Sequence, residues 1–405
     1  MRQRSGGDRS RLSRRLSDAV ATLGPVSTPL LVVDLDAFDA NADDLVRRAS
    51  GKPIRVASKS LRVPALIERA LAHDGFAGVL GFTLVEALWL VEHGISDDVV
   101  LGYPTVDRQA LDRLLDDVDA AAGITLMVDQ GAHLDLIDSV RRGRDTTIRL
   151  ALDIDAGLRM GPQHIGPKRS SLYDAAAVSD FARRIAGRAG FRLVGVMTYE
   201  GQVAGVPDRV PRKRARSLAV RRIKQASLAQ LAVRRREIAD ALAEVTELEF
   251  WNGGGSGSVE STSSDSVVTE VAAGSGLLVP TLFDHYESFE PRPAAFFGLP
   301  VTRRPSDQVV TVHGGGLIAS GAAGKDRLPT PWLPPGLHLT GLEGAGEVQT
   351  PLTGKATGML AIGDLVWFRH AKSGELFEHG RTVQLLSGST FVDQVSTYRG
   401  EGLAL

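Results

Sequence analysis

The chain contains no cysteine, which excludes disulfides, thiolate metal sites and cysteine nucleophiles. That absence suits a reducing compartment, and the expected location is the cytoplasm. No apolar run reaches the ~18 residues that a membrane helix needs. A formal net charge of -1 gives no global field for nucleic acid or an anionic membrane. The basic start, MRQRSGGDRSRLSRR, has no apolar segment after it, so it does not read as a secretory signal. It reads as a frayed tail leading into a helix, although its Arg/Ser content would also suit a transit peptide. A second basic run, Arg209 to Lys224, reads as the solvated face of a helix.

What is present is ample for a folded core. The 405 residues are 43% hydrophobic and 23% charged, ordinary values for a globular protein. Eight nearly continuous apolar runs have the character of parallel strands buried on both faces. They are Pro29–Asp34, Ile54–Ser58, Val79–Phe82, Val99–Gly102, Ile124–Val128, Ile148–Ile154, Leu193–Thr198 and Leu248–Trp251. Amphipathic stretches such as Pro64–His73, Leu84–His93 and Ser217–Val245 lie between them. Eight β–α alternations in ~250 residues predict a (β/α)₈ TIM barrel within the α/β class. Beyond about Ala272, Gly and Pro become frequent. There Val309–Val312, Glu347–Gln349, Leu365–Arg369, Thr382–Leu386 and Val392–Ser396 read as strands. The expected organisation is a basic tail and helix over 1–27, a barrel over 28–274 and a β-rich domain over 275–405.

Barrel chemistry gathers at the C-terminal ends of the strands. The second run ends in Ser58-Lys59-Ser60. A partly desolvated lysine there can form a Schiff base with an aldehyde cofactor, although a snorkelling lysine fits the same pattern. The eighth run ends in Asn252 followed by Gly253, Gly254, Gly255, Ser256, Gly257 and Ser258. Glycines admit close backbone approach to an anion, so the loop is a candidate phosphate cradle; a flexible linker has the same composition. Arg159, after the sixth run, could hold a carboxylate or a phenolate, and Tyr199, after the seventh, could meet a ring. Packing roles suit both equally.

Together these residues resemble the fold-type III PLP enzymes, the alanine racemase-like barrels. The resemblance is carried by Thr28–Asp36 with Asn41, by Lys59 and by the Asp155-Ala156-Gly157-Leu158-Arg159-Met160-Gly161 run. Tyr199-Glu200-Gly201 and Gly253–Ser258 draw it towards the D-threonine aldolase and D-serine dehydratase branch. The resemblance implies that Lys59 carries pyridoxal 5′-phosphate, with Arg159 beside its phenolate oxygen and a homodimer as the working form. That branch usually bears a His-x-Cys or His-x-Asp metal pair, and the matching place here is His370-Ala371-Lys372. Lysine is a poor ligand for a divalent metal, and the branch's usual histidine after the PLP lysine is replaced by Ser60-Leu61-Arg62.

The expected function is a PLP-dependent lyase acting on β-hydroxy D-amino acids, by aldol cleavage or dehydration. An amino acid racemase and a non-catalytic PLP-binding protein are the alternatives. The expected partner is a small amino acid, with neither nucleic acid nor membrane.

Overall fold

A computed structural model describes residues 2–288, 290 and 292–403, with side chains from residue 8 onward. Met1 and the first side chains of the basic N-terminal run lie outside the described residues. Eight parallel strands close into a barrel in the order Ile54–Ala57, Phe76–Gly81, Val99–Leu101, Ile124–Val128, Ile148–Asp153, Phe191–Thr198, Phe250–Gly253 and Glu270–Ala273. The last pairs back onto the first through Val271 with Ile54 and Ala273 with Val56. Successive side chains on a strand face opposite ways. Leu126, Leu150 and Leu152 therefore join the large core beneath the helices. Their neighbours Met127 and Ala151 join a separate cluster with Val100, Val194, Met197 and Phe250 inside the barrel.

The barrel differs from the sequence-based expectation at both ends. Leu30–Asp34 is not a barrel strand. It pairs antiparallel with Ala295–Ser306 and parallel with Thr382–Ser387 in the second sheet. Its alternate faces pack separately: Leu30 and Val32 lie against Leu16 of the N-terminal helix, Leu31 and Val33 in the main core. Burial on both faces thus arises from a sheet with a helix over it. The missing barrel strand is Glu270–Ala273, whose acidic first residue disguises it. Glu270 is neutralised by Arg55 at 2.7 and 2.8 Å and also accepts from Asn252 at 2.8 Å.

The second sheet has nine strands and is antiparallel apart from the Leu30–Asp34 and Thr382–Ser387 pair. The expected Val309 and Thr382 strands are present as Val309–His313 and Thr382–Ser387, and Leu365–Arg369 keeps its bounds. The long Ala295–Ser306 strand, which the sequence reading passed over, joins three of the sheet's other strands. The N-terminal helix, Arg2–Ala21, is anchored by Arg15, which donates to Asp34 at 2.7 and 2.8 Å. No helix among the described residues is long and apolar enough to cross a membrane.

Candidate active site

Lys59 stands on a single turn, Ser58–Ser60, directly after the first barrel strand. The turn is braced from behind. Ser58 donates to Leu80 O at 3.2 Å, and the Arg62 Nε donates to Lys59 O at 3.1 Å. Gly374, from the β-rich part of the chain, packs so tightly on Lys59 O that a Cβ there would lie 1.9 Å from it. Lys59 Nζ donates to Tyr103 Oη at 2.7 Å. Tyr103 follows the third barrel strand, and both residues line a cavity of about 290 Å³.

The glycine loop follows the seventh barrel strand, one place earlier than the sequence count put it. Gly254, Gly255 and Ser256 line the cavity, whereas Gly253 and Gly257 hold the loop's flanks. Gly254 has φ +78, a conformation that glycine adopts without strain. Its N–H donates to Glu200 Oε2 at 3.2 Å. Ser256 Oγ accepts from Gly276 N at 2.8 Å, tying the loop to the turn after the eighth strand. That turn brings in Ser275, whose hydroxyl lies 3.1 Å from Ser60 Oγ. Sequence reasoning missed Ser275 because it missed the strand before it. Tyr103 was visible as an aromatic residue just past an apolar run and was passed over.

Tyr199 lies at the cavity, at the end of the sixth strand. Burial, reinforced by the neighbouring Glu200 charge, pushes its hydroxyl up to about 12. Arg159 does not line the cavity. Residues Leu158–Met160 and Gln163–Ile165 form a two-stranded ribbon that carries Arg159 outward. Its guanidinium stacks 3.5 Å from the Tyr173 ring centroid. The same excursion returns Arg169 to the cavity, 5.9 Å from the Tyr199 ring and 5.8 Å from that of Tyr103. A small adjoining cavity is bounded by Asp153, Arg169 and Tyr199. Burial and then the Asp129 charge push Asp153 up to about 7, with Arg169 opposing them.

His370 is 3% exposed and does not line the cavity. Burial, then the Arg369 charge, push its imidazole down to about 3. Lys372 does reach the cavity, and it donates to Ser320 Oγ at 2.5 Å and to Glu375 Oε1 at 3.0 Å. Burial favours the neutral form of Glu375, but donors from Ser320 and the Lys372 ammonium hold its carboxyl below the usual range. Among the described residues, no three His, Cys, Asp or Glu side chains gather as a metal site.

Known proteins resemble this chain in sequence and in fold. D-threonine aldolase from Arthrobacter sp. is 29% identical over 255 residues, 62% of this chain and 61% of that protein. 3-Hydroxy-D-aspartate aldolase from Paracoccus denitrificans is 25% identical over 256 residues, 62% of this chain and 60% of that protein. The matches thus span about three fifths of these relatives' lengths. Among solved structures, D-threonine aldolase from Filomicrobium marinum superposes with a TM-score of 0.75 at 21% identity, covering 94% of this chain and 96% of that one. D-threo-3-hydroxyaspartate dehydratase from Delftia sp. HT23 gives 0.71 at 20% identity, covering 92% and 97%. Residues 33–279 match the model of the alanine racemase N-terminal domain, and the chain belongs to that family.

Proposed function

We propose that the chain is a PLP-dependent lyase that acts on β-hydroxy D-amino acids, by aldol cleavage or dehydration, as a cytoplasmic homodimer. The observation that carries this reading is the Lys59 amine at the barrel mouth, 2.7 Å from Tyr103 Oη, in one cavity with Gly254, Gly255 and Ser256. The names of the relatives, aldolases and a dehydratase of hydroxy amino acids, supply the reaction class.

The donor set fits PLP. Lys59 offers a primary amine to an aldehyde. Gly254 and Gly255 leave room for a phosphate at the cavity wall, and the Ser256 and Ser275 hydroxyls can donate to it. Arg169, in place of the expected Arg159, offers a guanidinium to a ring oxygen. When bound, PLP would supply an electron sink for the bond that breaks. Lys59 and Tyr103 are the pair able to hold and move a proton at the substrate. Tyr199, kept protonated by burial and by Glu200, is suited to donate a hydrogen bond to a bound group rather than to act as a base at neutral pH.

The residues at His370 do not suit a divalent ion. The imidazole is buried away from the cavity wall, and the Lys372 ammonium has no lone pair. Dialysis against a chelator is expected to leave turnover unchanged. Loss of turnover that added divalent metal restores would overturn that expectation.

The central test is spectroscopic. Purified protein should show the visible absorbance of bound PLP and lose it on borohydride reduction, and Lys59→Ala protein should not form that borohydride-sensitive species. A Lys59→Ala protein with an unaltered spectrum and borohydride response would refute the assignment. Assays of β-hydroxy D-amino acids for released aldehyde and ammonia then separate cleavage from dehydration, and inversion of configuration would indicate a racemase. Light scattering should give twice the 43.2 kDa chain mass.

A further inference from the structure

The Lys59 turn runs into a backbone conformation that strains the residue holding it. Arg62 has φ +53, in the left-handed region that residues with a side chain seldom occupy. Ser50 and Arg142 share that region, but each closes a regular helix, where it is an ordinary ending. Arg62 follows only the single turn Ser58–Ser60, beside the cavity-lining Ser60. Glycine would adopt this conformation without strain. Strain kept next to a reacting group points to a task for the side chain that brings it.

The Arg62 guanidinium bonds in two directions. Nε donates to Lys59 O at 3.1 Å, and Nη1 donates to Glu378 Oε1 at 2.8 Å. The group also lies over the ring of Phe82, 5.1 Å from its centroid, and Phe82 lines the cavity. The Arg62 backbone is tied as well. Its N–H donates to Ser58 O at 2.9 Å, and its carbonyl accepts from Tyr398 N at 2.9 Å. Gly374 closes another side, where a Cβ would lie 1.9 Å from Lys59 O and 3.2 Å from Arg62 Nε. The Arg62 side chain is 13% exposed, so its bonds are largely shielded from water.

Arg62 thus joins the Lys59 turn to three other segments, those of Phe82, Glu378 and Tyr398. Lysine carries its amine on a flexible four-carbon stem. Holding the peptide at the root of that stem narrows the space the amine visits, which favours a reaction that needs one approach. We infer that Arg62 is a positioning residue for Lys59. It clamps the Lys59 carbonyl towards Glu378 and so aims the amine at the aldehyde with which it condenses, a C=N bond forming as water leaves. The inference rests on the proposed PLP link at Lys59, and it adds the residue that holds that lysine ready.

The test is equilibrium titration of the full-length chain with two ligands, PLP and 4′-deoxypyridoxine 5′-phosphate. The second has a methyl group in place of the aldehyde. Both present the same phosphate and ring oxygen, but only PLP can react with Lys59. Wild-type protein should prefer PLP, with borohydride fixing the bound PLP to the chain. In Arg62→Gly protein, which suits φ +53, that preference should fall at least ~10-fold, as the loss of a charge-assisted hydrogen bond implies. Affinity for the methyl analogue should stay unchanged. Arg62→Lys keeps the charge but cannot reach Lys59 O and Glu378 from separate nitrogens, so its preference should fall between the two. It also carries the test should the glycine variant fail to fold. A wild-type preference in either variant would overturn the inference. So would equal weakening of both ligands, since Arg62 would then shape the cavity wall through Phe82. If wild-type protein binds the two ligands alike and borohydride fixes no PLP, the PLP assignment at Lys59 fails. Fixed PLP in the wild type with no change in the variants sinks the clamp alone.

Discussion

Glu200 is fully buried, yet four donors meet it: Arg235 Nη2 at 3.2 Å, Gly254 N at 3.2 Å, Ser258 Oγ at 2.9 Å and the Thr262 hydroxyl. It shapes the glycine loop from behind without entering the cavity. Glu200→Ala leaves Arg235 its pair with Asp265 at 3.1 Å but strips the Gly254 N–H and the Ser258 and Thr262 hydroxyls of their buried acceptor, and should cost about 1–3 kcal/mol in chemical denaturation. PLP titration of that variant should also show weaker binding, because Gly254 loses its anchor. Asp153 gives a pH signature at the same scale. Its carboxyl is raised from 3.8 to about 7, so the folded state holds this proton more tightly than the unfolded chain does. Its stabilising contribution is complete below about 3.8 and is lost as pH rises through about 7. Asp153→Asn cannot titrate. The melting temperature of wild type relative to Asp153→Asn should therefore fall between about pH 4 and about pH 8. A difference that stayed constant over that range would show that Asp153 is not perturbed.

Short elements decide which side chains reach the cavity. The ribbon Leu158–Ile165 is the reason that Arg169, and not Arg159, faces it. The turn at Gly374 has φ +87 and abuts Lys59 O, so Gly374→Ala would be strained and would also push the Lys59 turn. That variant should lose most of its PLP absorbance while keeping its far-UV circular dichroism. The segment after the last strand bears on the same turn from another side. Tyr398 Oη donates to the buried Glu86 at 2.7 Å, and Tyr398 N donates to Arg62 O at 2.9 Å. Glu86 also closes a reciprocal cap on its own helix, with its N–H on Thr83 Oγ1 and its carboxylate on Phe82 N. Burial raises the Glu86 carboxyl, and the Tyr398 donor is one of those that oppose it. Tyr398→Phe should cost about 1–3 kcal/mol by thermal or denaturant unfolding, because a buried acceptor loses a donor.

At the scale of the whole molecule, the two ends of the chain are built into one sheet. Leu30–Asp34 lies between Ala295–Ser306 and Thr382–Ser387, and the N-terminal helix covers that junction through Leu16 and Ala19. Deleting residues 2–21 would uncover Val32, Phe296 and Trp367, which pack in the same cluster. Aggregation detected by light scattering, with a lowered melting temperature, is the expected result. The cavity likewise depends on both parts of the chain. The barrel supplies Lys59 and the loop, and the later residues supply Lys372 and Arg327.

The sequence by itself determined that a closed parallel barrel would form, since runs such as Ile124–Val128 and Ile148–Asp153 are too uniformly apolar to face water on either side. It also marked Lys59, Tyr199 and the Gly254–Ser256 loop, because local chemistry at a strand end is written in adjacent residues. Only the tertiary structure decided which eight strands close. Burial on both faces looks the same at the centre of a sheet, as in Leu30–Asp34, as in a barrel. Glu270 becomes admissible in a strand through Arg55, 215 positions away. The same limit applies to Arg169, Ser275 and Arg327. Their place at the cavity depends on how loops from separate elements converge, and no local pattern of residues encodes that.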